Sequence, residues 1–233
     1  MGILGLQSAN AAAAGPAFAT NAVRKAPLVG WTHGRLLSGK RAFDLTVTLA
    51  TMPAWLPLLA VLLLAVKISD PRNPAIFRQW RAGHHGRLFQ VFKIRTMVPN
   101  AEQLVEGLMA QNEVAGPQFK MCNDPRVTRI GRILRATCLD ELPQLLHVLK
   151  GEMSLVGPRP ASARLEDYSD WWKARLMAVP GLTGRWQVDR HLCNDFDGRA
   201  RFDIAYMRRR SMVQDLSLLV QTIVFAFIKR SGT

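Results

Sequence analysis

Two adjacent carboxylates, Asp140 and Glu141, head the stretch Leu-Asp-Glu-Leu-Pro-Gln-Leu-Leu-His-Val-Leu-Lys-Gly, residues 139–151. Pro143 lacks an N–H and is tolerated only in the first turn of a helix. The segment is therefore predicted to be helical from about 140 to 149, with its N-cap at Asp140 or just before it. There the positive end of the helix dipole favours an ionised carboxylate, and an ionised Asp can serve as a nucleophile or a metal ligand. An isolated Asp at such a place is more often a plain N-cap, so the rest of the chain decides between cap and catalyst. Further along, Arg159 stands between Pro158 and Pro160. That turn is stiff, and a guanidinium fork held by it loses little entropy on binding a phosphate. Lys93, Arg95 and Thr96 end a predicted strand and suit phosphate oxygens. Asp124 to Arg135 adds Arg126, Arg129, Arg132 and Arg135 beside an apolar face of Ile130, Ile133 and Leu134. This is the pattern of a helix at a membrane surface or lining an anionic site.

The elements that must position these groups are legible in outline. Residues 45–66 carry no charge; at 1.5 Å per residue the run is about 33 Å long, enough to cross a bilayer. Pro53 and Pro57 interrupt it, and both flanks are basic: Lys40 and Arg41 before, Lys67, Arg72, Arg78 and Arg81 after. Positive charge prefers the cytoplasmic side. A straight span would put one basic flank on the wrong face, so a re-entrant helix–break–helix is favoured over a full span. Residues 75–80 and 88–94 read as strands of a β-hairpin around the loop 81–86, whose His84 and His85 have no carboxylate partner nearby and read as solvated. Residues 100–114 read as a polar helix. Leu142, Leu145, Leu146 and Leu149 give the central helix a buried face, ended by Lys150-Gly151. Tyr168, Trp171 and Trp172 with neighbouring basic residues suit a headgroup layer or a core. The run from Met212 to Ile228 is bracketed by basic residues and broken by polar ones, which suits an interfacial or docked helix better than a span.

The chain has 233 residues and a formal net charge of +14, which points to an anionic partner: nucleic acid, anionic lipid or a phosphorylated substrate. Three cysteines without metal or disulfide spacing fit buried free thiols in a reducing compartment. Residues 1–34 are Ala-rich, without a basic region followed by an apolar core, and read as a disordered tail rather than a secretory signal.

Taken together and in order, several motifs resemble the bacterial sugar transferases, the monotopic polyprenyl-phosphate phosphoglycosyl transferases. They are Lys40-Arg41-Ala42-Phe43-Asp44, Lys93-Ile94-Arg95-Thr96-Met97, residues 124–132, Leu139 to Leu145, Lys150 to Pro160, and Pro180-Gly181-Leu182-Thr183-Gly184. The resemblance covers about residues 40–232. It implies an α+β, mainly helical fold: a re-entrant helix-break-helix anchor, a small β-hairpin, and interfacial amphipathic helices around a cytoplasmic catalytic domain. The expected division is tail 1–34, anchor 35–68 and catalytic domain 69–233, at the cytoplasmic face of the bacterial inner membrane.

The resemblance also implies a reaction. A UDP-sugar gives its sugar-1-phosphate to undecaprenyl phosphate and releases UMP, as the first membrane step of a glycan. Asp140 would be the nucleophile and Glu141 its helper. Arg159 would bind phosphate, with Lys93, Arg95, Arg126 and Arg135 as further contacts. Mg²⁺ is expected near Asp140. Lys40, Arg41, Pro53 and Pro57 would belong to the anchor and its membrane boundary, against anionic lipid. Three positions depart from the family pattern: Leu56 where Ser is usual before the proline, His147 where Asn is common, and Asp189-Arg190-His191 in place of a Gly-Arg pair. The rival reading is a membrane-anchored basic protein that binds nucleic acid or anionic lipid without catalysis. No helix-turn-helix, RNP-type or zinc motif supports the nucleic-acid version.

Overall fold

The computed structural model describes residues 34–113, 121, 123–162, 170–188 and 196–228. Residues 1–33, Cys122, Tyr168, Asp189-Arg190-His191 and Cys193 lie outside these, and with them the expected tail and the departure after Val188.

The charge-free run lies within one helix, α1 (Gly34–Ser69), which is long and apolar enough to cross a bilayer. Pro53 and Pro57 sit inside it, and the helix is continuous through both. Each proline leaves a carbonyl one turn back without its usual donor. Just ahead of these positions two side chains donate to helix carbonyls: Thr51 Oγ1 to Val47 at 2.7 Å and Trp55 Nε1 to Thr48 at 3.0 Å. The buried positions of α1 are Lys40, Asp44, Thr48, Trp55, Leu59 and Val66. At 3.6 residues per turn they share an arc of about 100°. Leu49, Leu56, Leu58, Val61, Leu64 and Ile68 point away from the protein.

After α1 the hairpin forms as expected. Strands β1 (Ile76–Ala82) and β2 (Leu88–Ile94) pair antiparallel from Ile76↔Ile94 to Ala82↔Leu88, around a short turn in which His85 takes a left-handed conformation. The polar stretch that follows is not one helix. It makes turns, a single helical turn α2 (Val105–Leu108) and a 3₁₀ turn at Met109–Gln111, with no side-chain cap and no buried residue to hold a longer helix. Helix α3 (Arg129–Ala136) is capped by Thr128, whose hydroxyl accepts the Gly131 N–H at 2.9 Å. Leu134 is buried while Ile133 is turned to solvent, so the expected three-residue apolar face is split.

Next come a 3₁₀ turn, Leu139–Gln144, and helix α4 (Leu145–Lys150), closed by Gly151 at φ +83°. The remaining elements are β3 (Ser154–Val156), β4 (Ala161–Ser162), α5 (Asp170–Lys173), β5 (Gly181–Thr183), α6 (Arg185–Val188), α7 (Phe196–Arg209) and α8 (Met212–Ile228). Strand β4 joins the hairpin on the β1 side, and β3 pairs parallel with β5. Ile94, Leu134, Val148, Met153, Val156 and Leu218 meet in one core with Trp55, Leu59 and Val66 of α1. Full burial of each such side chain contributes about 1.5–3 kcal/mol, so α1 shares one core with the rest of the described fold. Helix α8 docks through Leu218, Asp215 and a Thr222–Thr183 hydroxyl contact of 2.7 Å, and leaves Val213, Leu216, Val220 and Ile223 exposed.

Candidate active site

Asp140 and Glu141 stand on the 3₁₀ turn ahead of α4, not at the N-cap of an α-helix. The reason is Cys138, which adopts a left-handed conformation (φ 56°) and starts the turn before Pro143 can open a helix. Few non-glycine residues do so. Cys138 is also exposed, contrary to the expectation of a buried thiol. With α4 only six residues long, the charge environment of the pair comes from side chains.

The two acids differ sharply in surroundings. Lys93 Nζ donates to Glu141 Oε1 at 2.6 Å, and Arg159 donates to both oxygens, Nη2 to Oε1 at 2.5 Å and Nη1 to Oε2 at 3.2 Å. Burial pushes the Glu141 carboxyl up, but Arg159 and Lys93 outweigh it and hold the group well below the usual glutamate range. Asp140 is the reverse. Burial pushes its carboxyl above the usual aspartate range, the attraction of Lys93 opposes this, Glu141 adds to the rise, and Arg159 and Arg135 pull it back. No described residue donates a hydrogen bond to the Asp140 carboxylate. Arg135 Nε donates to Thr96 Oγ1 at 2.9 Å, which fixes the guanidinium while leaving its two Nη groups without a partner among the described residues.

The cations are themselves positioned. Lys93 lies on β2, which is tied to α4 by His147: the ring Nε2 accepts the Phe92 N–H at 3.2 Å, and Nδ1 lies 2.6 Å from Glu152 Oε2. An acceptor at Nε2 requires the proton on Nδ1, so Nδ1–H donates to Glu152. His147 thus clamps the strand that presents Lys93. Arg159 is fixed through the backbone around it. Gly157 N–H donates to Thr183 O at 2.9 Å, Gly181 N–H to Pro158 O at 2.8 Å, and Arg175 to the Arg159 carbonyl at 2.9 Å. A Cβ on Gly181 would lie 2.1 Å from Gly157 N, so this approach of two loops admits only glycine. Arg175 is buried, ion-paired with Asp203 and stacked on Trp172 at 4.4 Å.

Lys93, Arg135 and Arg159 therefore surround the carboxylate pair. Arg95 and Arg126 have other partners. Arg95 lies past the end of β2 and binds Asp70 at 2.8 Å and the Pro74 carbonyl at 2.7 Å, closing the loop after α1. Arg126 forms a fork with Asp124 and donates to the Ala101 carbonyl at 3.2 Å. Lys40 and Arg41, expected at the lipid boundary, turn inward. Lys40 Nζ pairs with Asp215 at 2.6 Å. Arg41 donates to the carbonyls of Val148 and, at 2.8 Å, Leu149.

The chain that builds this half-buried, unpartnered carboxylate among cations is also similar in sequence to known proteins. Residues 35–229 fit the family model described as bacterial sugar transferase. The chain belongs to the bacterial sugar transferase family. Among its relatives in that family, it is 42% identical over 188 residues to the undecaprenyl-phosphate galactose phosphotransferase of Salmonella typhimurium, covering 78% of this chain and 39% of that protein. It is 39% identical to the UDP-glucose:undecaprenyl-phosphate glucose-1-phosphate transferase of Caulobacter vibrioides, over 79% of this chain and 68% of that one. It is 35% identical to the exopolysaccharide production protein ExoY of Rhizobium meliloti, over 97% and 100% of the two chains. The chain spans about two fifths of the length of several sugar transferase relatives, the Salmonella protein among them.

Sequence reading missed Arg175, Asp203 and the bridging role of His147. Arg175 and Asp203 sit in different helical segments and meet only in the fold. The one local signal was His147 itself, an ionisable residue among leucines on a helix meant for the core.

Proposed function

We propose that this chain transfers a sugar-1-phosphate from a UDP-sugar to undecaprenyl phosphate, at the cytoplasmic face of a membrane, as an early step of exopolysaccharide assembly. The observation that carries the reading is the contrast within the acidic pair: Glu141 is saturated by Lys93 and Arg159, and Asp140 is left free among the same cations. In the reaction, an Asp140 carboxylate oxygen attacks the phosphorus that bears the sugar. The bond from that phosphorus to the bridging oxygen breaks, and UMP leaves with the electron pair. The carrier phosphate then attacks the aspartyl phospho-sugar, forms the new diphosphate and returns Asp140 as a carboxylate. Phosphoryl transfer of this kind depends on positioning and charge stabilisation. Arg159 and Arg135 stabilise the charge on the phosphate oxygens, Lys93 shares its charge between them and Glu141, and Glu141 holds the two cations in place.

The donor set fits a magnesium ion. Mg²⁺ is usually bound through one or two carboxylates together with substrate phosphates rather than by a protein cage. Asp140 offers such a carboxylate, and the described residues contain no cluster of three or more acidic, His or Cys ligands that would suit another metal. When bound, Mg²⁺ would neutralise diphosphate charge.

The reading also takes α1 as a re-entrant anchor bent near Pro53 and Pro57, with α8 and α3 lying on the same membrane face. Both ends of α1 are fastened to one small region. Arg41 reaches Val148 and Leu149, His147 beside them holds Phe92 of β2, and Arg95 just past β2 binds Asp70 beyond the other end. A straight helix would hold residues 41 and 70 about 43 Å apart, whereas both connect through these few links to the α4–β2 region. A bend shortens that distance. Labelling an N-terminal tag in intact spheroplasts tests it: access from outside would overturn the re-entrant reading.

The activity is tested with detergent-purified protein, Mg²⁺, undecaprenyl phosphate and a panel of UDP-sugars, with UMP release as readout. Carrier-dependent UMP from at least one sugar is expected, together with protein-bound label from a sugar-labelled donor when the carrier is withheld. No turnover with any donor, or equal labelling of Asp140→Asn, would overturn the proposal.

A further inference from the structure

We infer that Arg41 and Asp44, at the base of the anchor, are positioning residues for the active site: one helical turn of α1 holds both arms that carry the reacting groups. This rests on the reading above, in which Asp140, Glu141 and Arg159 act on the diphosphate.

The first arm runs from the acidic pair through Pro143 into α4. The far end of α4 has carbonyls without helical donors, as every helix end does. Arg41 donates to two of the last carbonyls, Leu149 at 2.8 Å and Val148, which also accepts the Gly151 N–H at 3.1 Å. The second arm is β3, which runs straight into the Gly157-Pro158-Arg159 turn. Asp44 Oδ1 accepts the Leu155 N–H at 3.3 Å. Thr183 and Gly181 hold the turn from one flank, and Asp44 holds the strand before it from the other. Asp44 is almost fully buried, so this bond is not exchanged with water.

A second layer keeps the turn of α1 in place. Lys40 lies 3.8 Å from Asp44 and 2.6 Å from Asp215 of α8. Tyr206 of α7 donates to Asp215 Oδ1 at 2.5 Å and sets its hydroxyl 3.2 Å from the Val156 carbonyl. A cavity of about 70 Å³ lies in the same place, lined by Lys40, Arg41, Asp44, Tyr206, Gly157 and Pro158. It leaves space between the base of the anchor and the Arg159 turn, so these hydrogen bonds rather than dense packing define their separation. Misplacing a reacting group by about 1 Å can lower a rate up to a hundredfold. The basic residues of the Lys-Arg-Ala-Phe-Asp motif thereby serve the chemistry rather than the lipid headgroups.

A double-mutant cycle separates this role from a general one in folding. Asp44→Ala is expected to lower kcat by about tenfold or more, with unchanged retention in the membrane fraction. In an Arg159→Ala background the same substitution is expected to lower kcat by less than about twofold, because there is no guanidinium left to misplace. Asp44→Asn keeps an acceptor for the Leu155 N–H and should recover most of the activity. Arg41→Gln is expected to lower kcat about tenfold with little change in KM, and Arg41→Lys, which keeps a donor for the α4 carbonyls, to recover part of that loss; this arm keeps the proposal testable if Asp44→Ala does not fold, and an unchanged kcat in Arg41→Gln would overturn it. If Arg159→Ala alone has no effect, the reading of the site fails and the inference fails with it. If Arg159→Ala is slow but Asp44→Ala multiplies that loss in full, the site reading survives and the positioning role is overturned. Loss of Arg41→Gln from the membrane fraction would return that residue to lipid contact and overturn its part.

Discussion

Two clusters in this molecule are built from the same residue types and do opposite things. At the anchor base, Lys40, Asp44, Asp215 and Tyr206 form a closed set in which Lys40 and Asp215 side chains are 8% and 1% exposed. At the site, Lys93 and Arg159 side chains are 25% and 32% exposed around Glu141, and Asp140 beside them is unpaired. Closure turns a buried charge pair into a structural joint: each Asp215 oxygen has its own donor, Lys40 on one and Tyr206 on the other. Incomplete closure leaves cations that can trade a protein carboxylate for a phosphate, and one carboxylate able to react. Residue type alone does not separate the two cases; the number of partners per acid does.

The largest effect is expected where that count is lowest. Asp140→Asn removes the reacting oxygen without changing shape, and should reduce UMP release by about 10⁴-fold or more, as loss of a nucleophile does in enzymes with covalent intermediates. Thermal stability should hold or rise, because an acid that burial disfavours has been removed. Full activity in Asp140→Asn would place the nucleophile elsewhere.

In the closed cluster the corresponding experiment acts on stability. Lys40→Met leaves Asp215 and Asp44 buried without their cation, and should destabilise the fold by about 3–5 kcal/mol in denaturant titrations. Combining it with Asp215→Leu should recover part of that loss, since a buried ion pair often contributes little net over apolar side chains of similar size. A surface-like effect below about 1 kcal/mol for Lys40→Met would mean that the pair is open to water.

Arg159→Ala comes next in size. It removes a fork aimed at developing charge and should lower kcat about 10²–10³-fold. It also takes from Glu141 the partner that most opposes the effect of burial. A loss confined to KM, with kcat unchanged, would make Arg159 a ground-state contact only.

Local features of the fold were legible in the sequence. The hairpin followed from two apolar runs around a His-Gly turn and the bounds of α8 from its basic flanks; Lys93, Glu141 and Arg159 were each singled out, but as phosphate contacts and a helper rather than as partners of one another. What was not legible depended on distant neighbours. Lys40 and Arg41 read as lipid-facing because nothing nearby in sequence announces Asp215 or the end of α4. Arg95 and Arg126 read as phosphate ligands because an arginine does not reveal which carboxylate it will meet. Arg175 and Asp203 find each other only when α7 packs against the segment after α5. The 3₁₀ turn under Asp140 arose from a left-handed Cys138, a conformation that cysteine gives no reason to expect.

The contrast between neighbouring acids has a consequence in pH. In the proposed reaction Asp140 attacks as the carboxylate, and its carboxyl is held above the usual aspartate range, so kcat should fall about tenfold per pH unit below an acid limb displaced upward from 3.8. The stability terms of the two acids have opposite sign. The depressed Glu141 contributes stability above its unfolded pKa that is lost as pH falls toward its folded value, whereas the raised Asp140 opposes folding increasingly as pH rises past the unfolded aspartate value. Glu141→Gln removes the negative neighbour that helps to raise Asp140 and frees Lys93 and Arg159 to attract it. The acid limb of the residual activity should therefore move to lower pH. A limb that stays in place would show that burial alone sets the Asp140 titration. A limb that moves up would mean that the cations disperse without Glu141, and that the glutamate acts by assembling them more than by its own charge.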